Sequence, residues 1–122
     1  MELFIGGCSQ NKPAYVKGLY SDEILHKKID IIDNFHIIVK EKLAAGLTSA
    51  QIWDEIQKLI EETEKGGKKL IFISDEIGNG IVPVDQTERE WREVTGRILC
   101  NIAECAEKVT RIVMGLAQVI KG

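Results

Sequence analysis

A glycine-rich segment near the amino-terminal end, from Gly6 to Pro13, has the spacing of a phosphate-binding loop. Such a loop surrounds phosphates with backbone N–H groups, reaches them with a lysine, and holds magnesium with a final hydroxyl. The segment follows a short apolar run, as a phosphate loop follows a strand. It therefore predicts phosphate binding by Gly6, Gly7, Cys8, Ser9, Gln10, Asn11 and Lys12.

Two residues of this segment depart from the pattern G-x-x-x-x-G-K-[ST]. Asn11 stands where the second glycine is expected, and asparagine enters the left-handed backbone region more readily than most residues. Pro13 replaces the hydroxyl residue and supplies neither a hydroxyl nor an N–H. It also disfavours helical geometry at Lys12, the residue before it. On its own, the motif is a weak indication of nucleotide binding.

Acidic residues follow two further apolar runs. Asp33 ends one of them, and open α/β sheets present such residues to ligands. Position alone leaves two interpretations open, a metal-organising acid or an acid that meets solvent or a helix N-terminus. The other run leads into an acidic, glycine-rich segment from Asp75 to Pro83. Ile81 and Val82 are apolar residues in this predicted loop, so we expect a packing partner for them.

Runs of strand and helix character alternate along the chain, which is the pattern of crossover units around a parallel sheet. The continuous apolar run before Asp75 favours a central strand covered on both faces. Parallel strands share one carboxyl edge, so the segment from Gly6 to Lys12, Asp33, and the segment from Asp75 to Gly80 should gather there. The predicted strands are residues 2–5, 29–33, 68–74, 109–114 and 116–120.

Three helices are predicted between these strands. Apolar residues over 37–45 fit a short helix that a glycine ends. Capping-box spacing that starts at Thr48 precedes a second helix, which ends at Gly66. The same spacing from Thr87 predicts the cap of a long helix, with Trp91 in its core stripe.

Length and composition limit the class of protein. The 122 residues are predicted to form one domain, 1–122. The net charge is −3 without a basic stripe, so nucleic acid is not an expected partner. No window approaches about 18 apolar residues and no export signal is apparent, so we expect a cytoplasmic protein that does not enter a membrane. Cys8, Cys100 and Cys105 lack metal-ligand spacing and are predicted to be buried.

The segment from Ser74 to Pro83, SDEIGNGIVP, carries a resemblance to a known family together with the helix after it. That helix has the pattern R-x-x-R-[DE]-x-x-G-R, formed by Arg89, Arg92, Gly96 and Arg97. The chain resembles the adenosylcobinamide kinase/adenosylcobinamide-phosphate guanylyltransferase family of cobalamin biosynthesis. The similarity is close from Leu70 to Lys121 and extends more weakly to Asp33 and the glycine-rich segment.

The resemblance implies an α/β, P-loop NTPase-like three-layer sandwich with a mainly parallel sheet. Members phosphorylate adenosylcobinamide and transfer GMP from GTP onto that phosphate, so ATP or GTP and Mg²⁺ are the implied cofactors. The implied catalytic residues are Lys12, which binds phosphates, Asp33, which organises the metal, and Glu76, a further acid. A homo-oligomer is also implied, with residues 78–83 in the site or in a subunit contact.

The chain departs from the family beyond Asn11 and Pro13. It is shorter in the stretch that carries the family's guanylylated histidine, and neither His26 nor His36 matches that residue. Three hypotheses stay open: an enzyme with relaxed motifs, a nucleotide- or corrinoid-binding relative without turnover, and a regulatory subunit of an intact enzyme. The departures favour reduced or lost catalysis.

Overall fold

The computed structural model describes residues 1–7, 11–77 and 85–122, which contain five strands and five helices. The predicted strands and helices are present, with small shifts at their ends. The strands are β1 (Glu2–Gly6), β2 (Ile29–Ile32), β3 (Lys69–Asp75), β4 (Lys108–Val113) and β5 (Leu116–Lys121). The helices are α1 (Lys12–Leu19), α2 (Ser21–Leu25), α3 (Phe35–Ala44), α4 (Ser49–Lys65) and α5 (Gln86–Cys105).

The strands form one sheet in the order β2-β3-β1-β4-β5. The first four are parallel to one another, and β5 returns antiparallel beside β4. Gly6 lies opposite Asp75 in the register of β1 and β3, and β2 ends on the same side. The predicted α/β fold with a mainly parallel sheet is therefore confirmed. We call the side where β1, β2 and β3 end the carboxyl edge, and the opposite side the amino edge.

Two hydrophobic clusters cover the two faces of the sheet and give the molecule three layers. On one face α3, α4 and α5 pack onto β1 and β3, and the rings of Phe35 and Phe72 meet edge-on with centroids 5.2 Å apart. On the other face Val16 of α1 packs with Phe4 and Ile112. Residues 70–73 of β3 are all buried because they alternate between the two clusters. This confirms the predicted strand with both faces covered.

Capping groups determine where the longer helices begin and end. Thr48 starts the predicted capping box of α4. Gly46, just after α3, has a φ of +95°, a conformation that favours glycine. The predicted cap at Thr87 is wrong, because Asp85 caps α5 and its carboxylate accepts the N–H groups of Thr87 and Glu88. A carboxylate at this position also faces the positive end of the helix dipole.

The start of α1 also differs from the prediction. Pro13 predicts a non-helical Lys12, yet Lys12 is the first residue of α1. The proline lies in the first turn, where backbone N–H groups have no partner within the helix, so its ring is tolerated. Asn11 adopts the left-handed conformation with a φ of 60°, as its residue type allows. The chain therefore turns sharply just before the lysine.

Two further expectations concern the surface. Cys100 and Cys105 are exposed on α5, so the prediction that they are buried is wrong. Ile98 and Ile102 occupy the core-facing positions of that helix instead. Cys8 lies outside the described residues. Within the part of the chain that the structure describes, no helix is long and apolar enough to cross a membrane.

Candidate functional site at the carboxyl edge

The carboxyl edge brings together the segments that were predicted to form a site. Glu76 donates its N–H to the carbonyl of Gly6 at 2.8 Å, which ties the end of β3 to the end of β1. Asp33 follows β2 at the same edge. The predicted gathering is thus confirmed for the described residues. Segment 78–84 lies outside them, as do the predicted phosphate-binding residues Cys8, Ser9 and Gln10.

Gly6 has no room for a side chain. A Cβ at this position would lie 2.5 Å from the carbonyl oxygen of Ile112 and 3.3 Å from Cδ of Lys12. The first distance is well inside van der Waals contact, so a side chain fits only if β1 or β4 shifts. The absence of a side chain at Gly6 therefore lets the stem of Lys12 pack against the end of β1.

Lys12 is buried, with 5% of the residue exposed. Its ammonium donates to the carbonyl oxygen of Gly7 at 2.8 Å and to Oδ1 of Asp75 at 2.7 Å. A buried ammonium needs a counter-charge because burial removes its hydration. Asp75 supplies that charge. An ammonium has three donors, and these two acceptors use two of them.

His36, near the start of α3, contacts Asp75 from the other side. Nδ1 of His36 accepts the N–H of Asp75 at 3.2 Å, and Nε2 lies 3.3 Å from Oδ2 of the same residue. Because Nδ1 acts as an acceptor, the proton of the neutral ring is on Nε2, where it faces the carboxylate. Trp91 of α5 donates its indole N–H to the carbonyl oxygen of His36 at 2.8 Å. The backbone of His36 is therefore tied to α5 as well as to α3.

The environment keeps His36 neutral. Burial lowers the pKa of His36 below its ordinary value of 6.5. The carboxylate of Asp75 opposes this shift, the ammonium of Lys12 adds to it, and the carboxylate of Asp33 opposes it. A neutral ring at pH 7 donates one hydrogen bond and accepts another. His36 thus makes a two-point contact with a single residue, Asp75.

The predicted acids Asp33 and Glu76 have other partners. Asp33 is exposed, and its Oδ1 accepts the N–H of Asn34 at 2.7 Å. Glu76 forms an ion pair with Arg111 of β4, with Nε–Oε1 and Nη2–Oε2 distances of 2.7 and 3.0 Å. The acid that contacts Lys12 is Asp75, which the sequence indicated only as the start of an acidic segment. Asp75 is identified by the parallel register of β1 and β3, which places it opposite Gly6 at the end of β1.

The described residues do not fit a magnesium site held by the protein. Asp75 is bound to Lys12 and His36, and Pro13 provides no hydroxyl. No group of three His, Cys, Asp or Glu side chains within residues 1–7, 11–77 and 85–122 could hold a metal ion. Asp33 remains as a single exposed carboxylate, and Mg²⁺ held by so few protein ligands takes most of its coordination from substrate phosphates and water.

A second charged cluster lies at the amino edge, where β1 and β3 begin, and consists of Glu2, Tyr20, Lys69 and Glu107. Oε2 of the buried Glu2 accepts hydrogen bonds from the hydroxyl of Tyr20 and, at 2.9 Å, from the ammonium of Lys69. Lys69 also pairs with Glu107 at 3.0 Å. Burial raises the pKa of Tyr20, and its hydrogen bond to Glu2 raises it further. Burial alone would lower the pKa of Lys69, but hydrogen bonds to the two carboxylates raise it overall.

The geometry defines the class of protein. A mainly parallel α/β sheet with a buried lysine that contacts Gly7 at its carboxyl edge is typical of a P-loop NTPase-like fold. Residues 10–120 match the family described as cobinamide kinase / cobinamide phosphate guanyltransferase. The chain belongs to this family. The resemblance that the sequence indicated is therefore confirmed over nearly the whole chain.

Curated relatives agree with this assignment. The chain is 35% identical over 68 residues to the bifunctional adenosylcobalamin biosynthesis protein CobU of Salmonella typhimurium, a match that covers 56% of the chain and 38% of that protein. It is 32% identical over 87 residues to the bifunctional adenosylcobalamin biosynthesis protein CobP of Pseudomonas aeruginosa, which covers 66% of the chain and 50% of that protein. The match thus spans half or less of the length of these relatives.

Proposed function

We propose that this chain binds the phosphates of ATP or GTP at the carboxyl edge, with reduced or lost catalysis. The phosphates would lie against the backbone of Gly6 and Gly7 and the ammonium of Lys12. The observation that carries the proposal is the buried ammonium of Lys12, which donates to the carbonyl oxygen of Gly7 just past the end of the central strand β1. The alternative is an active adenosylcobinamide kinase/adenosylcobinamide-phosphate guanylyltransferase.

The loop chemistry supports binding more than turnover. Phosphoryl transfer depends mainly on positioning and on the neutralisation of charge. Asn11 adopts the left-handed conformation that a glycine readily adopts at this position of the intact motif, and backbone N–H groups next to such a residue can attract an anion. Pro13 removes the N–H and the hydroxyl that would follow Lys12. The metal-dependent step is therefore weakened while phosphate binding remains.

The names of the relatives support a role in cobalamin biosynthesis, with adenosylcobinamide as the partner beside the nucleotide. In this proposal Asp33 contacts, directly or through water, a magnesium ion that arrives with the nucleotide. Glu76 is a further acid near the site, held by Arg111. Neither acid is assigned a step in the reaction.

We also propose that the chain forms a homo-oligomer. All of β5 is exposed, including the apolar side chains of Leu116, Val119 and Ile120. An edge strand with apolar side chains can pair with a second copy. The apolar residues 81–83, predicted from the sequence as a contact, lie outside the described residues. Light scattering at high protein concentration checks this proposal, and a monomer would contradict it.

Calorimetry of ATP and GTP binding, with and without magnesium, tests the phosphate site. We expect weak binding by the parent protein with little dependence on magnesium. The double variant Asn11→Gly/Pro13→Ser restores loop freedom, an N–H and a hydroxyl, so it should strengthen magnesium-dependent binding by about tenfold. Lys12→Gln should abolish binding in both backgrounds. Magnesium-dependent binding by the parent as tight as that of the double variant would contradict the proposal and favour the active enzyme.

A further inference from the structure

Asp75 takes one of the three donors of the Lys12 ammonium and neutralises the positive charge that a phosphate would need. We propose that Asp75 is an internal counter-ion of Lys12, kept in place by His36, and that an anion binds by displacing the carboxylate from the ammonium. The inference rests on the proposed function, because it concerns anion binding at the same lysine. It assigns Asp75 and His36 a part in setting how tightly that lysine binds phosphate.

The first step of the argument is the contact itself. Oδ1 of Asp75 lies 2.7 Å from Nζ of Lys12, which is the distance expected for a phosphate oxygen on the same ammonium. A second donor of the ammonium is used by the carbonyl oxygen of Gly7. Even with the third donor unused, two anions next to one ammonium repel each other, and the single positive charge balances only one of them. An incoming phosphate and Asp75 therefore compete for Lys12.

The second step is that His36 fixes the carboxylate where it is. The imidazole contacts both the backbone N–H and Oδ2 of Asp75, at 3.2 and 3.3 Å. The ring is buried, and the hydrogen bond from Trp91 to the carbonyl of His36 ties its backbone to α5. The two oxygens of Asp75 are thus divided, one toward His36 and the other toward Lys12. His36 is in this sense a positioning residue that acts through Asp75.

The third step is that the carboxylate can leave Lys12 at a moderate cost. The side chain of Asp75 is 23% exposed, so water reaches it once the ammonium is taken by another anion. Oδ2 can keep the hydrogen bond from Nε2 of His36 during this exchange. A carboxylate without solvent access could not be released in this way, because its desolvation would then be uncompensated. Asp75 therefore competes with an incoming anion for Lys12, and the anion can still displace it.

Sulfate is a suitable probe, because it stays dianionic around neutral pH and cannot transfer a phosphoryl group. Its binding can be followed by the NMR resonance of the Gly7 amide at constant ionic strength. Asp75→Asn keeps the shape of the side chain and removes the competing charge. We expect this variant to bind sulfate about fivefold more tightly than the parent, the scale of one ion-pair contact. Asp54→Asn, which removes the same charge from an exposed pair with Lys58 on α4, should bind like the parent.

Two variants at His36 separate its positioning role from a structural one. His36→Gln keeps a donor for Oδ2 and should bind sulfate like the parent. His36→Leu lacks both contacts with Asp75 and should bind more tightly than the parent, though less tightly than Asp75→Asn. Weaker binding by both variants, in parallel with lower melting temperatures, would show a merely structural histidine and overturn its assigned role.

The sulfate titrations also distinguish this inference from the proposed function. Equal or weaker binding by Asp75→Asn, with clear binding by the parent, would overturn the internal counter-ion and leave the phosphate site standing. Absence of sulfate binding by the parent and by Asp75→Asn alike would overturn both. Tighter binding by Asp75→Asn and Asp54→Asn to the same degree would reduce the effect to net charge and overturn the specific contact.

Discussion

Lys12 and Lys69 lie at opposite edges of the same sheet, and each contacts a carboxylate on a neighbouring strand. At the amino edge the acid is the buried partner, because the side chain of Glu2 is 2% exposed and that of Lys69 is 38% exposed. At the carboxyl edge the order is reversed, because the side chain of Lys12 is 6% exposed and that of Asp75 is 23% exposed. The more exposed member of the ion pair is therefore the cation, Lys69, at the amino edge and the anion, Asp75, at the carboxyl edge.

This difference in exposure explains why the cluster at the amino edge stabilises the fold, whereas the ion pair at the carboxyl edge can bind an anion. Glu2 is enclosed and has two donors on one oxygen, so any loss of them leaves a charge without hydration. Asp75 can be hydrated when it leaves Lys12, and the vacated ammonium then needs a new anion. Lys12 is therefore the lysine of the two that would accept an incoming anion. Function is therefore expected at the carboxyl edge alone.

The largest effect should come from Glu2→Gln at the amino edge. Removal of the charge leaves Lys69 and Tyr20 with a weaker acceptor in a buried position, so we expect the free energy of unfolding to fall by about 2 kcal/mol. Urea unfolding measures this loss, and sulfate affinity should stay unchanged. A shift in sulfate affinity comparable to that of Asp75→Asn would break the separation between the two edges.

A smaller loss of stability, with a change in binding, is expected for Gly6→Ala. The new Cβ would meet the carbonyl of Ile112 and the stem of Lys12, so we expect a loss of about 1 kcal/mol and severalfold weaker sulfate binding. Gly18→Ala is the matched control, because a Cβ placed there in α1 has no atom within 4 Å beyond its chain neighbours and the backbone of its own helix. That control should gain up to ~1 kcal/mol through helix propensity. Unaltered sulfate binding by Gly6→Ala would contradict the described packing of Lys12.

The smallest effect concerns the pH dependence of stability, and the two edges should lose stability in different pH ranges. The pKa of His36 is lowered in the folded state, so the unfolded chain binds more protons below its ordinary value of 6.5. The stability that the neutral ring provides is present above that pH and is lost as the pH falls through the folded-state pKa. The pKa of Glu107 is lowered by its hydrogen bond to Lys69, so its contribution is lost only below its ordinary value of 4.5.

His36→Gln removes the first of these two dependences. The parent should lose more stability than the variant between about pH 7.5 and pH 5.5, as followed by urea unfolding. Glu107→Gln should leave that interval unchanged and alter only the more acidic range. Parallel curves for the parent and His36→Gln would mean that the ring does not titrate in this range.

The sequence predicts all five strands and three of the five helices that the structure describes, whereas it does not predict α1 and α2. The continuous apolar run at residues 70–73 predicts a strand covered on both faces, and these residues are buried. The spacing of the apolar residues in α4 likewise predicts a helix with one buried face. The capping box at Thr48 was read from spacing alone, since all of its groups are local. The edge at which the site would form followed from the parallel direction of the strands.

The contacts within the site could not be predicted in this way. Asp75 meets Lys12 across 63 positions of sequence, and the choice between Asp75 and the adjacent Glu76 depends on the register of β3 against β1. His36 is buried partly because α5 supplies Trp91, a residue 55 positions later. The prediction that Pro13 keeps Lys12 out of a helix is wrong, because the effect of a proline depends on whether it lies in the first turn or later in a helix. Each of these outcomes is decided by tertiary packing.

The bond between Trp91 and His36 gives the molecule an optical reporter. The chain has two tryptophans, and the indole of Trp91 lies with its centroid 6.5 Å from the imidazole of His36 and 4.6 Å from the ammonium of Lys40. Trp53 lies on α4, packed against the hydrophobic core. In a Trp53→Phe background, the emission of Trp91 would therefore follow rearrangement of His36 and Asp75 without any added dye. The helix that contacts His36 thus carries a fluorophore of its own.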